Sequence, residues 1–288
     1  MSGFLYECHG HALMDGADFR TARDRHKNGV DESAVRGCLA ALQGAGVGYV
    51  RDGGDALGVS LFAREIAEEY GISYRTPAFA IHKKGFYGSI VGKAWRDMGE
   101  YRALIREAKA AGADFIKLMF SGVITFMKYG ELSCPGLQAS EITELVAVAH
   151  GEGFAVMAHV NGADTVLAAV EAGTDSIEHG YFLDDACLAA MAEAGTVWVP
   201  TVAATHAFIG RAGFDLETSK RTVETQLAMI GRAAALGVEI AAGSDSGAVG
   251  VPHGAGTETE YRLLRSAGLT DAQIMRANRA LEARFVRR

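Results

Sequence analysis

The sequence predicts an α/β fold, a (β/α)8 TIM barrel. Three observations predict it. Eight short apolar segments rich in Val, Ile and Phe alternate with longer amphipathic ones along the 288 residues. Most of the amphipathic stretches close on glycine, as helices do at a C-terminal stop. The chemically versatile residues also fall at the ends of the apolar segments, where a barrel gathers them at one mouth. The competing architecture is a doubly wound open sheet, which would carry a glycine-rich phosphate loop after its first strand. Here that position reads HGHALMDG.

Taken in order, the predicted strands are 4–11, 47–52, 74–82, 114–120, 154–160, 175–180, 196–202 and 238–245. Continuous apolar runs of this length suit parallel strands buried on both faces. The helical stretches between them are ESAVRGCLAALQGAG, LFAREIAEEYG, EYRALIREAKAAGA, SEITELVAVAHGEG, DTVLAAVEAG, DDACLAAMAEAG and residues 217–237. Ser140 with Glu144, and the pair Asp184–Asp185, read as helix starts. No repeat or low-complexity segment interrupts the pattern, so one barrel domain is expected over residues 1–288.

Composition narrows the function classes. The chain is 49% hydrophobic and 22% charged, with a formal charge of -7 and no long charge run. That argues against a nucleic-acid surface and leaves a small molecule as the expected partner, with a homo-oligomer neither required nor excluded. There is no membrane-length apolar run and no signal-peptide pattern. Cys8, Cys38, Cys134 and Cys187 are scattered, which fits a reducing cytoplasm better than a disulfide framework.

His9 and His11 end the first strand. Strand residues two apart share a face, so both imidazoles can face the barrel axis and hold one divalent cation. Asp245, at the end of the eighth strand, supplies a carboxylate to complete that set. His159 and His179 end the fifth and sixth strands and can hold a second ion. Lys117 ends the fourth. An ammonium group there would be repelled by metal ions. A neutral amine can react with carbon dioxide to give a carbamate whose two oxygens bridge the pair.

With these motifs in place, the sequence resembles the amidohydrolase superfamily. HGHALMDG matches its opening HxH motif and FIKLMFSG its lysine strand. MAHVNG, SIEHGYFLDD and GSDSG match the later His, His and Asp segments. The likeness runs from about Phe4 to about Gly268 and is nearest to the imidazolonepropionase and prolidase-type branch. It implies that His9, His11 and Asp245 bind a buried metal and that His159 and His179 bind a more exposed one. It also implies that carboxylated Lys117 bridges the two ions, with zinc the first candidate. Members commonly carry a small β-sandwich flanking the barrel. The tail MRANRALEARFVRR lacks their usual asparagine-proline-alanine segment, so a reduced or absent sandwich is expected.

The expected reaction is hydrolysis of an amide or other C–N bond by hydroxide generated between two metals. A dipeptide, an N-acyl amino acid or a cyclic amide would be the substrate. Asp245 is the expected proton carrier. His82, at the end of the third strand, is a second catalytic candidate that could meet the substrate carbonyl or carboxylate. Ser121, Gly122, Asn161, Tyr181, His206 and His253 follow ligand-bearing or neighbouring strands and are candidate substrate contacts. Arg51 and Asp52 read as an internal ion pair. The loop 82–95 reads as a packed surface loop or a lid over an anionic substrate. Competing functions are a lactonase or esterase, a deaminase, and a metal-binding barrel without catalysis. Deaminases of the superfamily usually use one metal and lack the lysine, so Lys117 argues against that class.

Overall fold

The first strand has residues that are nearly all buried, because both of its faces are covered. The computed structural model describes residues 4–286. Its strands are β1 (Leu5–Gly10), β2 (Val47–Asp52), β3 (Ser73–Arg75), β4 (Ala80–Lys83), β5 (Gly92–Trp95), β6 (Ile116–Met119), β7 (Val156–Val160), β8 (Ser176–His179) and β9 (Val197–Val199). The helices are α1 (Phe19–Arg25), α2 (Glu32–Gly44), α3 (Val59–Ile66), α4 (Met98–Ala110), α5 (Ala139–Gly151), α6 (Ala163–Glu171), α7 (Asp185–Ala194), α8 (Val202–His206), α9 (Leu216–Ala235), α10 (Ala255–Ser266) and α11 (Asp271–Arg284). None of the described helices is long and apolar enough to cross a membrane.

All named strand pairs are parallel. They form the order β1-β2-β3 and the order β5-β4-β6-β7-β8-β9. Two seams join these sheets into the barrel. At one seam Asp114 N donates to Thr76 O, which continues β3 toward β6. At the other, residues 239–246 bond to β9 through Trp198 and to β1 through Cys8, His9 and His11.

Two predicted strands therefore take a different form. The stretch 74–82 is broken into β3 and β4, because Pro77 has no N–H to donate and Ala78 adopts φ 64°. The stretch 238–245 makes a single bridge, Ile240 to Trp198, and another follows it at Ser246 to Gly10. Its sequence, AAGSDSG, offers small side chains for a crowded seam. A Cβ on Gly243 would lie 2.7 Å from His9 N and 2.6 Å from Val199 Cγ1.

Helix starts follow local chemistry. Asp31, Asp97, Asp184 and Asp215 each accept a backbone N–H of the first turn, a cap that contributes about 1 kcal/mol. The start of α5 lies two residues before the predicted Ser140: Gln138 is the cap, and its N–H donates to Glu141. On α5, Ile142, Leu145, Val146 and Ala149 repeat at helical spacing and pack on the outside of the barrel. The barrel base is filled from within by Tyr6, Cys8, Tyr49, Phe115 and Met157, and closed from below by Leu281 and Phe285 of the C-terminal segment. Residues 255–284, for which no element was predicted, form α10 and α11. They make the plug that holds the seam 239–246 in place, where Asn278 Oδ1 accepts Ala242 N at 2.8 Å.

Candidate metal centre

The C-terminal ends of β1, β6, β7 and β8 converge with the seam after residue 244. His9 and His11 present rings 5.4 Å apart, His9 lies 4.9 Å from His179, and His179 lies 4.6 Å from His159. One ligand atom from each of His9, His11 and Asp245 lies within 4.8 Å of the other two. Asp245 Oδ1 is 3.2 Å from His11 Nε2 and 3.7 Å from His9 Nε2. Lys117 is 1% exposed, and its Nζ has no hydrogen-bond partner.

Hydrogen bonds fix which imidazole nitrogen is free in His9 and His159. His9 Nδ1 donates to Glu178 Oε2 at 2.6 Å, so its Nε2 keeps the lone pair. His159 Nε2 contacts the Gly122 carbonyl at 3.2 Å. A carbonyl only accepts, so Nε2 carries the hydrogen and Nδ1 is free. His179 Nδ1 pairs with Thr201 Oγ1 at 2.7 Å, and the Thr201 hydroxyl in turn pairs with that of Tyr181 at 2.8 Å, which orients the ring without fixing its tautomer. A carboxylate, a backbone carbonyl or a hydroxyl thus orients each of these rings, as outer partners do at metal sites.

The electrostatics keep the imidazoles neutral. Burial pushes His9 down to about 4 and His159 down to about 3, with the Lys117 charge acting in the same direction. His179 is driven well below its ordinary value by burial and by the neighbouring histidines. Burial pushes Lys117 down to about 8, although Glu178 and Asp245 favour its charge. Burial opposes the charge of Asp245. Its hydrogen bond with His11 is the largest effect against that, and its carboxyl is held well below the usual carboxylate range.

Backbone strain sits at the same residues. His179 has φ 67°, Thr201 φ 50° and Asp245 φ 62°. Non-glycine residues in this region cost about 1–3 kcal/mol each and persist where the surroundings over-determine them. Here Trp198 Nε1 holds the His179 carbonyl at 2.9 Å, and Asp245 N donates to the His9 carbonyl at 2.7 Å. Glu7 ties the seam to β1 by accepting Ser244 N at 2.7 Å, Ser244 Oγ at 2.5 Å and His9 N at 3.3 Å.

A cavity of about 280 Å³ opens over this cluster. Its wall includes His9, His11, Lys117, His159, His179, Asp245 and Tyr181. The other sequence candidates do not form part of this wall. His82 is buried, with its Nδ1 3.0 Å from the Lys83 carbonyl and its ring packed beside Gly88 and Gly92. Ser121 Oγ accepts Asn161 N, and Asn161 Nδ2 donates to Gly122 O. These three residues build the shelf behind His159. His206 is half-buried on α8, where Thr205 takes the wall position. His253 Nε2 donates to the Met14 carbonyl at 2.9 Å.

The loop 82–95 ends in β5, which pairs with β4, and its Tyr87, Ile90 and Val91 form cavity wall. The Tyr87 ring lies 5.0 Å from that of His159. Arg51 and Asp52 do not pair with each other. Arg51 binds Glu178 Oε1 at 2.7 Å, and Asp52 accepts the Tyr74 hydroxyl at 2.6 Å. The main residues that sequence reasoning missed are Glu178, Thr201 and Tyr87.

Gly53 packs against the face of His11. A Cβ there would lie 2.2 Å from His11 Cε1. Gly53→Ala should displace the ring and weaken metal binding by about 10–100-fold, as loss of an orienting contact does. Metal titration against a competing chelator checks this. Unchanged affinity would mean that His11 tolerates the shift.

The Amidohydrolase family profile matches residues 8–283. Ochratoxinase of Aspergillus niger is 25% identical over 312 aligned positions, covering 95% of this chain and 62% of that protein. An uncharacterised protein of Mycobacterium tuberculosis is 31% identical over 180 residues, covering 60% of this chain and 47% of that one. The chain therefore spans about half to two-thirds of the length of these relatives. Among solved structures, a Xaa-Pro dipeptidase superposes with TM-score 0.78 at 23% identity, covering 98% of this chain and 76% of the other. The Aspergillus niger ochratoxinase structure gives TM-score 0.75 at 21% identity, covering 98% and 69%. With a profile that covers nearly the whole sequence and neighbours built on the same barrel, the chain belongs to the amidohydrolase family.

Proposed function

We propose that the protein is a metal-dependent hydrolase acting on an amide or other C–N bond. The observation that carries this reading is the buried, unpartnered Lys117 Nζ among three oriented neutral histidines, His11 and an ionised aspartate. An unsatisfied buried amine is costly on its own terms, and ligation chemistry accounts for it. The donor set fits two divalent cations: His9, His11 and Asp245 for one, and His159 and His179 for the other. Lys117, as a carbamate, would stand between them. Nitrogen and carboxylate donors of this kind suit zinc among the available ions. Such ions, when bound, polarise a carbonyl and lower the pKa of water.

The chain's own groups do the rest. Asp245 is charged at neutral pH and is placed to take a proton from the attacking water and pass it to the leaving nitrogen. Glu178, Thr201 and the Gly122 carbonyl hold the imidazoles in register. The wall of the cavity beyond these groups is largely apolar. A small-molecule substrate and a cytoplasmic location belong to the same proposal.

Elemental analysis of native protein, with turnover measured before and after chelation, tests it. About two metal equivalents, activity lost on chelation, and recovery that needs both metal and bicarbonate are the expected results. Bound metal with no turnover of any amide, ester or lactone would favour a non-catalytic metal-binding barrel instead. No bound metal would remove the proposal altogether.

A further inference from the structure

We infer that the cavity selects an uncharged, apolar amide with an aryl or long acyl arm, and disfavours substrates bearing a free carboxylate. This rests on the hydrolase reading above and narrows it away from dipeptides and N-acyl amino acids. The first observation is the composition of the wall. Beyond the metal-centre residues it is built from groups such as Phe19, Ile90, Val123, Ile124, Phe126 and Phe208. Of the hydroxyls among them, Tyr181 bonds Thr201 and Thr205 bonds Val202 O and Gln226, while Tyr87 brings one further uncharged hydroxyl to the wall.

The second observation is charge. Among the described residues, the charged side chains of the wall are Lys117 and Asp245, and both belong to the metal centre. Recognition of a carboxylate ordinarily uses a guanidinium fork or another fixed cation. Arg20 and Arg211 are the arginines stacked on wall residues, 5.3 Å from the Phe19 ring and 5.9 Å from the Phe208 ring. Both are exposed and outside the wall. A carboxylate in the cavity would lose its water without gaining a fixed cation outside the metal centre. Its nearest cationic partners would be the metal ions themselves, where it would compete with the scissile carbonyl. The formal charge of -7 adds a further bias against anions.

The third observation is an apolar apron that continues the wall outward. Phe214 packs edge-on against Phe208 at 4.7 Å and Phe126 at 6.2 Å, and Asp215 N is fixed to the Phe126 carbonyl at 3.1 Å. Beside it Met127 is 61% exposed and Leu216 47%. Apolar surface running from the cavity to solvent suits a substrate arm longer than the cavity itself.

The test uses a matched pair sharing one scissile bond: N-octanoyl-phenylalanine and its N-methylamide, assayed with metal-loaded protein by octanoate release. The neutral member should have kcat/KM about 100-fold higher or more. Val123→Arg, which puts a cation into the wall, should shrink or reverse that ratio. Binding of both compounds is measured in parallel by calorimetry. Equal or reversed preference for the acid in the parent protein overturns the inference and leaves the hydrolase reading standing. Selective binding of the neutral member without turnover supports the inference and counts against the hydrolase reading. If neither member binds nor turns over, the inference fails, and the hydrolase reading is decided by the metal and turnover tests above.

Discussion

Asp245→Asn should lower kcat by about 10²–10⁴-fold, the usual worth of a positioned acid–base group, while the protein stays folded and keeps most of its metal. Asparagine preserves the side-chain oxygen that lies 3.2 Å from His11 Nε2. It also preserves the backbone bond from residue 245 to the His9 carbonyl, which anchors the seam. What it removes is a charged oxygen able to accept a proton. Because His11 and the nearby imidazoles hold the Asp245 carboxyl well below the usual range, the parent protein has the base in its working form throughout the neutral region. Metal analysis and a melting curve alongside the kinetics separate the outcomes. Lost turnover with retained metal assigns the proton to Asp245. Lost metal reduces it to a ligand. Full turnover removes it from the chemistry.

The chain's first strand shows why so much of this centre was legible in the sequence. The two-residue period of a strand puts His9 and His11 on one face, and nothing in the structure disturbs that. Lys117 and His159 also lie within strands, β6 and β7, in which side chains alternate regularly. The alternation breaks at His179. Glu178 and His179 are neighbours and should point to opposite faces, but φ 67° at His179 lets both serve the interior. No sequence period signals such a residue, so Glu178 was not read as part of the centre. Arg51 and Asp52 are the converse case. Strand neighbours cannot pair across a pleat, and the same rule applied strictly would have separated them. The third strand was read through a proline that splits it. The two C-terminal helices were passed over because their apolar faces are sparse, with Ile274, Ala277 and Leu281 serving α11. Their contribution is tertiary: Phe285 meets Phe115 edge-on at 5.2 Å and lies 4.4 Å from the Arg51 guanidinium.

That last contact begins a buried chain from the barrel base to the metal centre: Phe285, Arg51, Glu178, His9. Glu178 accepts from Arg51 at 2.7 Å, from Ser176 at 2.5 Å and from His9 at 2.6 Å, and it is fully buried. Burial alone would raise its pKa, but Arg51 and His9 outweigh that and hold it down to about 2. Glu178→Ala leaves a buried guanidinium without a counter-charge. The expected cost is about 3–5 kcal/mol, or a Tm roughly 10 °C lower for a chain of this size. The pH dependence has a definite sign. A carboxylate with a depressed folded pKa contributes stability above its unfolded pKa and loses it as pH falls toward the folded value. The Tm gap between parent and Glu178→Ala should therefore be full near neutral pH and close between about pH 4.5 and 2. A gap independent of pH would mean that packing, not charge, is what Glu178 supplies. The double variant Arg51→Met with Glu178→Leu then separates structure from function. Replacing a buried pair by apolar groups of similar size should restore most of the stability. It cannot restore the acceptor for His9 Nδ1, so metal affinity should stay about 10–100-fold weak. Recovery of both together would show that the His9 ring needs no carboxylate behind it.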